Sequence, residues 1–258
     1  MMPRLRGLFL LAFWFTLIVL LAPFMILLRL ITGNENMIYV PIRPLIRLGL
    51  ALVGVRVRVE GLERLKPDQP YIFTPNHQSF IEVPLFVTYL GRNPAYLAKK
   101  EVFKYPIFGQ GIRLMGVIPV DRSNTQSAVE SARQGTENLR RGKSYVVYPE
   151  GTRSRDGRLL PFKKGAFMMA IDAGVPIVPV TVSGASRIMP KGQIKIHPST
   201  VDIIVHEPIY TKGYSRENIE GLIEKTRNRI FSALSEEERA MQGEAAQINT
   251  RLSKSDSL

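Results

Sequence analysis

The chain has 258 residues, of which 45% are hydrophobic, and carries a formal net charge of +13 at pH 7. This length and composition allow one sizeable globular domain with a buried core. The sequence contains no cysteine, which excludes disulfide bonds, a cysteine-acyl intermediate and thiolate metal ligands. The positive charge indicates an anionic partner. Because no nucleic-acid-binding motif accompanies it, acidic lipid headgroups fit better than nucleic acid.

The N-terminal segment is apolar. From Gly7 to Leu28 no residue carries a charge, and as a helix this stretch is long enough to cross about 30 Å of hydrocarbon. A cleaved signal peptide fits less well, because the apolar part exceeds the usual length of roughly 7–15 residues and no A-x-A site follows. Residues 32–36 form a predicted turn. Residues 38–55 are interrupted by prolines and arginines and fit the membrane interface better than its centre.

The arginines of this segment bear on its orientation. Residues 1–58 contain seven arginines and a single acid, Glu35, so positive charge flanks the apolar stretch on both sides. The positive-inside rule therefore gives no orientation for a single span. A hairpin of two helices, residues 7–31 and about 38–54, places every arginine on one face of the membrane. We therefore expect residues 1–54 to anchor the protein on the cytoplasmic face of the inner membrane without crossing it, and a single span is the alternative.

Further along the chain, short apolar runs alternate with helical stretches. The predicted strands are residues 56–60, 71–74, 96–98, 117–120, 144–148, 177–182, 194–196 and 201–206. Residues 125–141 form a predicted helix that Ser123 or Asn124 caps and Gly142 ends. Over residues 55–235 the pattern predicts an α/β domain with a mixed, largely buried sheet flanked by helices.

Apolar residues recur at helical spacing near the C-terminus, and Ser215 is a candidate cap for the helix that they define. These residues are Ile219, Leu222, Ile223, Ile230 and Leu234. Beyond Glu236 the sequence is polar and has no apolar period. We therefore expect residues 236–258 to form a disordered tail.

A histidine and an acid follow the strand predicted at residues 71–74. His77 lies just beyond that strand, in a position that active sites favour, and a helix-like run begins at Pro84. Imidazole takes up a proton near neutral pH, and a carboxylate on its other nitrogen fixes the tautomer and stabilises the imidazolium. Glu82 supplies that carboxylate if it lies in the first turn of the helix and points back to the loop. The alternative is a capping histidine beside a solvated glutamate.

Four short blocks together resemble the glycerolipid acyltransferases, the family that includes lysophosphatidic acid acyltransferase. They are NHQSFIE at residues 76–82, GVIPVDR at 116–122, YPEGTRS at 148–154 and VPIVPV at 175–180, in the order and spacing of that family. The resemblance covers roughly residues 55–210. The family carries an aspartate where this chain has Glu82, whose additional methylene moves the carboxylate.

The resemblance implies direct acyl transfer without a metal, a cofactor or a covalent enzyme intermediate. It implies that His77 is the general base, which takes the proton of a lysophosphatidic acid hydroxyl as that oxygen attacks a thioester of acyl-carrier protein or acyl-coenzyme A. Glu82 is implied to hold His77. The residues implied to bind the acceptor and its phosphate are Lys99 or its neighbour Lys100, Arg122, Glu150 in a supporting role, Gly151, Thr152 and Arg153.

Several alternatives remain open. A relative that acylates another lysolipid or glycerol 3-phosphate carries the same blocks, and the third block also fits a turn with a structural ion pair between Glu150 and Arg153. Ser79 lies two residues from His77, but because no G-x-S-x-G motif is present, a helix cap suits it better than a hydrolase nucleophile. A non-catalytic membrane-surface protein accounts for the charge and the apolar segment, but not for four ordered blocks.

Overall fold

The computed structural model describes residues 1–121 and 123–242 of the chain. Its strands are β1 (Val55–Glu60), β2 (Ile72–Pro75), β3 (Ala95–Lys99), β4 (Ile118–Val120), β5 (Tyr145–Val146), β6 (Ile177–Ser183) and β7 (Ser199–Val205). Its helices are α1 (Pro3–Thr32), α2 (Asn36–Leu52), α3 (Glu82–Tyr89), α4 (Phe108–Leu114), α5 (Thr125–Arg140), α6 (Gly165–Ala173), α7 (Ala185–Ile188) and α8 (Ile219–Ser232). Two short 3-10 helices, Leu62–Arg64 and Lys100–Lys104, follow β1 and β3.

The strands form one seven-stranded sheet in the order β1-β7-β6-β2-β5-β3-β4. The neighbours β6, β2, β5, β3 and β4 run parallel to one another. β7 is antiparallel to β6, and β1 is parallel to β7. This confirms the predicted mixed α/β sheet. The loops that follow the parallel strands leave the sheet at one edge, which we call the carboxyl edge. Every predicted site residue that the structure describes lies on these loops or at the ends of their strands.

Helices cover both faces of the sheet. On one face α2 and α3 pack around side chains that include Tyr39, Phe73 and Leu85, and α1 lies against α2. On the other face α5, α6 and α8 pack around side chains that include Phe167 and Leu222. All five of these side chains are fully buried, and burying each one stabilises the fold by roughly 1.5–3 kcal/mol. Burial on both faces explains why the central strands are apolar throughout.

The second predicted helix is present, but its inner face belongs to the domain core. Ile46 and Leu50 of α2 are buried against the sheet. The Arg43 guanidinium, which the sequence places at the membrane interface, donates instead to the carbonyl oxygens of Val87 at 3.1 Å and Arg92 at 2.7 Å. α2 therefore contributes to the domain that follows it rather than lying apart from it.

α1 is long and apolar enough to cross a membrane, and among its residues only Gly7 and Leu10 are buried. Its first turn is fixed to the loop before β7, because the Pro3 carbonyl accepts a hydrogen bond from Ile196 N at 3.0 Å. A Cβ atom at Gly7 would lie 2.3 Å from the Ile194 carbonyl oxygen, so only glycine allows this close approach. The strand predicted at residues 194–196 is absent, and the segment contacts α1 instead.

The turn between α1 and α2 is fixed to the opposite edge of the sheet. Glu35, the single acid of the N-terminal segment, forms an ion pair with Lys143, which precedes β5. Glu35 Oε1 also accepts a hydrogen bond from Asn93 Nδ2 at 3.2 Å. Both ends of α1 are therefore held by the globular domain.

The helix caps agree with the sequence for α5 but not for α8. Asn124 Oδ1 accepts a hydrogen bond from Ser127 N at 3.0 Å, and Gly142 follows the helix with a positive φ of 92°. α8 begins after Asn218 rather than at Ser215, whose hydroxyl contacts Glu217.

The predicted C-terminal tail begins later than expected. Residues 236–242 are helical, and Glu238 is buried because its carboxylate faces the loops of the carboxyl edge. Disorder from residue 236 onward is therefore wrong for this stretch. Residues 243–258 lie outside the described residues.

Candidate active site

His77 and Glu82 are in direct contact. β2 ends at Pro75, and α3 begins at Glu82, so the carboxylate in its first turn reaches back to the loop. Glu82 Oε2 lies 2.6 Å from His77 Nδ1, which is the contact that the spacing predicts. The other carboxylate oxygen accepts hydrogen bonds from the backbone amides of Gln78 and Ser79, both at 2.7 Å. One fully buried carboxylate thus organises the loop and orients the imidazole.

The contact with Glu82 sets the tautomer of His77. Burial raises the pKa of Glu82, while the hydrogen bonds from His77 and the two backbone amides lower it. A carboxylate beside Nδ1 requires a proton on that nitrogen, so Nε2 carries the lone pair. Nε2 forms no hydrogen bond within residues 1–121 and 123–242, and the imidazole side chain is 14% exposed. The Nε2 atom of this partly exposed imidazole is therefore free of protein partners in the described part of the chain.

The ring of Tyr148 forms one wall beside His77. The two ring centroids are 3.7 Å apart, and the planes are inclined by 22°. Tyr148 lies at the start of the third block, just beyond β5, so the stacking joins two loops of the carboxyl edge. Burial raises the pKa of Tyr148 well above its ordinary value, and Glu82 and Tyr96 raise it further. The phenol therefore stays neutral, and its hydroxyl has no hydrogen-bond partner among the described residues.

Glu150 holds the backbone of the loop that carries His77. Its Oε1 accepts a hydrogen bond from His77 N at 2.8 Å, and its Oε2 accepts one from Leu160 N at 3.0 Å. Burial raises the pKa of Glu150 to about 7, against the lowering effect of these two amides. Ser154 N donates to the His77 carbonyl at 2.7 Å, so the third block holds both sides of the His77 peptide. Since both carboxylate oxygens face the backbone, Glu150 supports the site and does not point toward an acceptor.

The Cζ atom of Arg153 lies over the ring of Phe80, 3.6 Å from its centroid. Burial lowers the pKa of Arg153, and the Glu82 carboxylate opposes this shift. Arg153 forms no ion pair with Glu150 or with any other acid in the described ranges, so the structural ion pair that the sequence left open is absent. Stacking on Phe80 orients the planar fork and leaves its N–H edges available to an anion.

The turn before Arg153 requires a glycine. Gly151 has a φ of +70°, a conformation that other residues rarely adopt, and a Cβ atom there would lie 3.2 Å from the side chain of Lys163. Thr152 is exposed next to it. The structure thus brings Gly151, Thr152 and Arg153 together with His77 on one rim of the carboxyl edge.

The two lysines after β3 differ in their partners. Lys100 forms an ion pair with Asp121, which follows β4. Lys99 is exposed, and its Nζ lies 3.6 Å from the Glu101 carboxylate. Lys99 is therefore the freer of the two, and its contact with the acceptor remains a prediction. Arg122 lies outside the described residues.

The site also contains contacts that sequence reasoning missed. Ser79 was expected to cap α3, but its hydroxyl donates to the Met189 carbonyl at 2.8 Å and so joins the loop of His77 to the loop after α7. In that loop Lys191 Nζ donates to the Arg153 carbonyl at 2.6 Å. Gln78 Nε2 donates to the Glu238 carboxylate at 3.1 Å. Met189, Lys191 and Glu238 lie outside the four blocks, so no motif signals their position.

Comparison with known proteins identifies the family to which the chain belongs. The family model described as Acyltransferase matches residues 56–183, which include the His77–Glu82 pair and the third and fourth blocks. The chain belongs to this acyltransferase family.

Curated relatives and a solved structure agree with this assignment. A chloroplastic 1-acyl-sn-glycerol-3-phosphate acyltransferase of Brassica napus is 38% identical over 178 residues, which cover 68% of this chain and 50% of the relative. The Arabidopsis thaliana chloroplastic protein of that name is 40% identical over 157 residues, covering 60% of this chain and 44% of the relative. The human alpha form is 32% identical over 186 residues, which cover 72% of this chain and 66% of the relative. The chain spans about half the length of the two plant relatives.

The crystal structure of the 1-acyl-sn-glycerophosphate (LPA) acyltransferase from Thermotoga maritima is similar in fold. It superimposes with a TM-score of 0.74 at 28% sequence identity and covers 88% of this chain and 95% of that chain.

Proposed function

We propose that the protein is a 1-acylglycerol-3-phosphate O-acyltransferase. It transfers an acyl chain from a thioester, either acyl-carrier protein or acyl-coenzyme A, to the sn-2 hydroxyl of lysophosphatidic acid and releases phosphatidic acid. The observation that carries this proposal is the 2.6 Å contact of His77 with buried Glu82, on the same rim as Arg153. The names of the relatives support the choice of lysophosphatidic acid as acceptor.

His77 acts as the general base. Its Nε2 removes the hydroxyl proton of the acceptor as that oxygen forms a bond to the thioester carbonyl carbon. The carbon–sulfur bond then breaks, and the leaving thiolate takes up the proton that His77 gained. Glu82 stabilises the imidazolium that exists between these two transfers. His77 is therefore neutral again at the end of each turnover, and no group on the enzyme is acylated.

Arg153 binds the acceptor phosphate through its guanidinium fork, and Lys99 and Arg122 add positive charge to the same anion. Thr152 and the backbone of Gly151 line the approach to it. Glu150 keeps these residues in register with His77, since its carboxylate holds the His77 amide. Binding the phosphate places the hydroxyl within reach of Nε2 and of the thioester, which reduces the entropic cost of the reaction.

The reaction takes place on the cytoplasmic face of the inner membrane. The exposed side chains of α1 are almost all apolar, among them Phe15, Leu20 and Phe24, and this surface enters one leaflet. The positive charge of the chain attracts acidic headgroups. The acceptor then reaches the site from the bilayer, while the soluble donor arrives from the cytoplasm.

The test is transfer by the purified protein in detergent micelles. Lysophosphatidic acid, another lysophospholipid and glycerol 3-phosphate are each offered with acyl-carrier protein and acyl-coenzyme A donors. We expect phosphatidic acid as the main product and a loss of roughly 10²–10⁴-fold for His77→Ala, the usual contribution of a general base. A preference for a different acceptor would reject lysophosphatidic acid but retain acyl transfer. Absence of transfer to every acceptor would favour a non-catalytic membrane-surface protein.

A further inference from the structure

The loop after α7 carries a lysine at the tip of a tight turn. Gln193 N donates to the Pro190 carbonyl at 3.1 Å and closes the turn. Gly192 has a φ of +82° at its third position, which a type II turn requires. The turn therefore holds the backbone of Lys191 in one place, and the Lys191 side chain is only partly exposed.

This turn is bonded to both functional loops. Ser79 Oγ donates to the Met189 carbonyl at 2.8 Å, which fixes the turn to the loop of His77. Lys191 Nζ donates to the Arg153 carbonyl at 2.6 Å and lies 3.5 Å from Thr152 Oγ1. An ammonium group has three N–H donors, so it can hold this carbonyl and still offer a donor to a ligand.

Lys191 and Arg153 are two cationic residues of this rim, and the nearby Glu82 carboxylate acts on Arg153 only through space. Neither forms an ion pair with an acid in the part of the chain that the structure describes. The Glu82 carboxylate is committed to His77 and two backbone amides. Because Lys191 Nζ bonds the backbone of Arg153, both side chains lie on the same rim, and an anion placed between them is attracted by two positive charges.

We propose that Lys191 is a second residue that binds the acceptor phosphate, opposite Arg153. This proposal rests on the proposed function, because it takes the phosphate monoester of that acceptor as the ligand. Arg153 supplies a planar fork to two phosphate oxygens, and Lys191 supplies a point charge to a third. Lys191 thereby adds selectivity for a phosphate monoester over an uncharged acceptor.

The test separates the effect of the Lys191 charge on the ligand from the effect of its hydrogen bond to the Arg153 carbonyl. Lys191→Gln retains an N–H donor for the Arg153 carbonyl but removes the charge, whereas Lys191→Arg retains the charge. Lys212→Ala is the matched control, because Lys212 is exposed beyond the Ile209–Ile177 bridge at the opposite edge of the sheet. Binding of lysophosphatidic acid and of uncharged monoacylglycerol with the same chain is measured by calorimetry in neutral detergent micelles.

We expect Lys191→Gln to weaken the binding of lysophosphatidic acid by about tenfold or more, as for a lost hydrogen bond to a charged group. Binding of monoacylglycerol should be unchanged, and Lys191→Arg should restore most of the affinity. The difference between wild type and Lys191→Gln should shrink in high salt. Equal losses for both lipids, or no loss relative to Lys212→Ala, would overturn the proposal.

A failure of the proposed function gives a result that differs from a failure of the Lys191 proposal. If wild-type protein bound monoacylglycerol as tightly as lysophosphatidic acid, the proposed acceptor would be rejected. The anion site would then be titrated with glycerol 3-phosphate and inorganic phosphate. An affinity for both that is the same in wild type and Lys191→Gln would reject the role of Lys191 independently of any acyl transfer.

Discussion

The imidazole of His77 lies against the ring of Tyr148, with their centroids 3.7 Å apart. The two residues follow β2 and β5, which are parallel neighbours in the sheet, so the sheet itself brings these rings together. Glu82 fixes the imidazole at Nδ1, and Tyr148 blocks its rotation out of that plane. The two contacts therefore hold the imidazole ring in one orientation, which is the preorganisation that the proposed role of His77 requires.

The stacking predicts that two substitutions of Tyr148 differ in their effect on activity. Tyr148→Phe retains the ring and removes a buried hydroxyl without a partner in the described chain, so the protein should be at least as stable as wild type and equally active. Tyr148→Leu removes the wall beside the imidazole and should lower kcat more than it changes KM. Thermal unfolding and steady-state kinetics of both variants are the measurements. A large loss of kcat in Tyr148→Phe would show instead that the hydroxyl contacts the substrate.

Glu82 should be essential as a carboxylate. Glu82→Gln has the same size, but its amide cannot serve both Nδ1–H and two backbone N–H groups as acceptor, so we expect kcat to fall by roughly 10²–10⁴-fold. Glu82→Asp restores the residue of the family pattern, but its shorter side chain moves the carboxylate away from His77 Nδ1. Its kcat should therefore lie between those of wild type and Glu82→Gln. Glu237→Gln is the control, because Glu237 is exposed and pairs with Arg187. A kcat for Glu82→Gln within about tenfold of wild type would reject the orienting role.

Arg153 should act mainly on the acceptor. Arg153→Ala is expected to raise the KM for lysophosphatidic acid by roughly 10–100-fold, since it removes hydrogen bonds to a charged group. Arg153→Lys should recover only part of this loss because a point charge has no planar fork. The control is Arg140→Ala at the last turn of α5, where an exposed arginine bonds to the Asp172 carbonyl. Unchanged acceptor dependence in both Arg153 variants would assign Arg153 a structural role only.

Glu150 should make stability depend on pH. Burial raises its pKa from 4.5 to about 7, so the folded chain binds this proton more tightly than the unfolded chain does. The resulting stabilisation is complete below the unfolded pKa and is lost as the pH rises through about 7. Glu150→Gln cannot titrate at this position. The free energy of unfolding of wild type relative to Glu150→Gln should therefore decrease between about pH 5 and pH 8, with a slope of at most about 1.4 kcal/mol per pH unit.

Denaturant unfolding of the two proteins in one detergent, at several pH values, measures this difference directly. Other titrating groups affect both proteins and cancel in the comparison. His206 is one of them, because burial lowers its pKa to about 4 and gives the opposite trend as the pH falls. A difference that does not change with pH would mean that Glu150 remains ionised throughout.

Local contacts were predictable from sequence because neighbouring residues determine them. The His77–Glu82 pair spans five positions across a strand end and a helix start, and both signals are present in the sequence. The arrangement of Tyr148 beside His77 depends on the order of strands in the sheet, which periodicity does not determine. Lys191 and Glu238 reach the site from loops and helices that no motif connects to it.

Two errors have the same physical origin. Residues 194–196 alternate like a strand, but they lie beside α1, where Pro3 accepts a single backbone hydrogen bond and no ladder forms. The arginines of residues 38–55 suggested an interfacial segment free of the domain, yet the partners of Arg43 are backbone carbonyl groups of the domain, and the interfacial location itself stays a prediction. In both cases the burial and hydrogen bonding come from tertiary partners that are distant in sequence.

The contacts of α1 bear directly on membrane topology. Its start is bonded to Ile196, and the turn at its end carries Glu35, which is paired with Lys143. A single span perpendicular to the bilayer would pull these polar contacts, and the buried face of α2, into hydrocarbon. A helix that lies along the domain and enters one leaflet preserves all of them. The N-terminus and His77 should therefore face the same side of the membrane.

Single cysteines test this arrangement without interference, since the native chain has none. Cysteine is introduced at Ser123 on the domain and at Met2 before α1, both of which are exposed. We expect an impermeant thiol reagent to label both positions from the same side of sealed vesicles. A cysteine at Val19, in the middle of α1, should stay unlabelled until the membrane is dissolved, because lipid covers this exposed apolar position. Labelling of Met2 and Ser123 from opposite sides would require one true span and reject the hairpin.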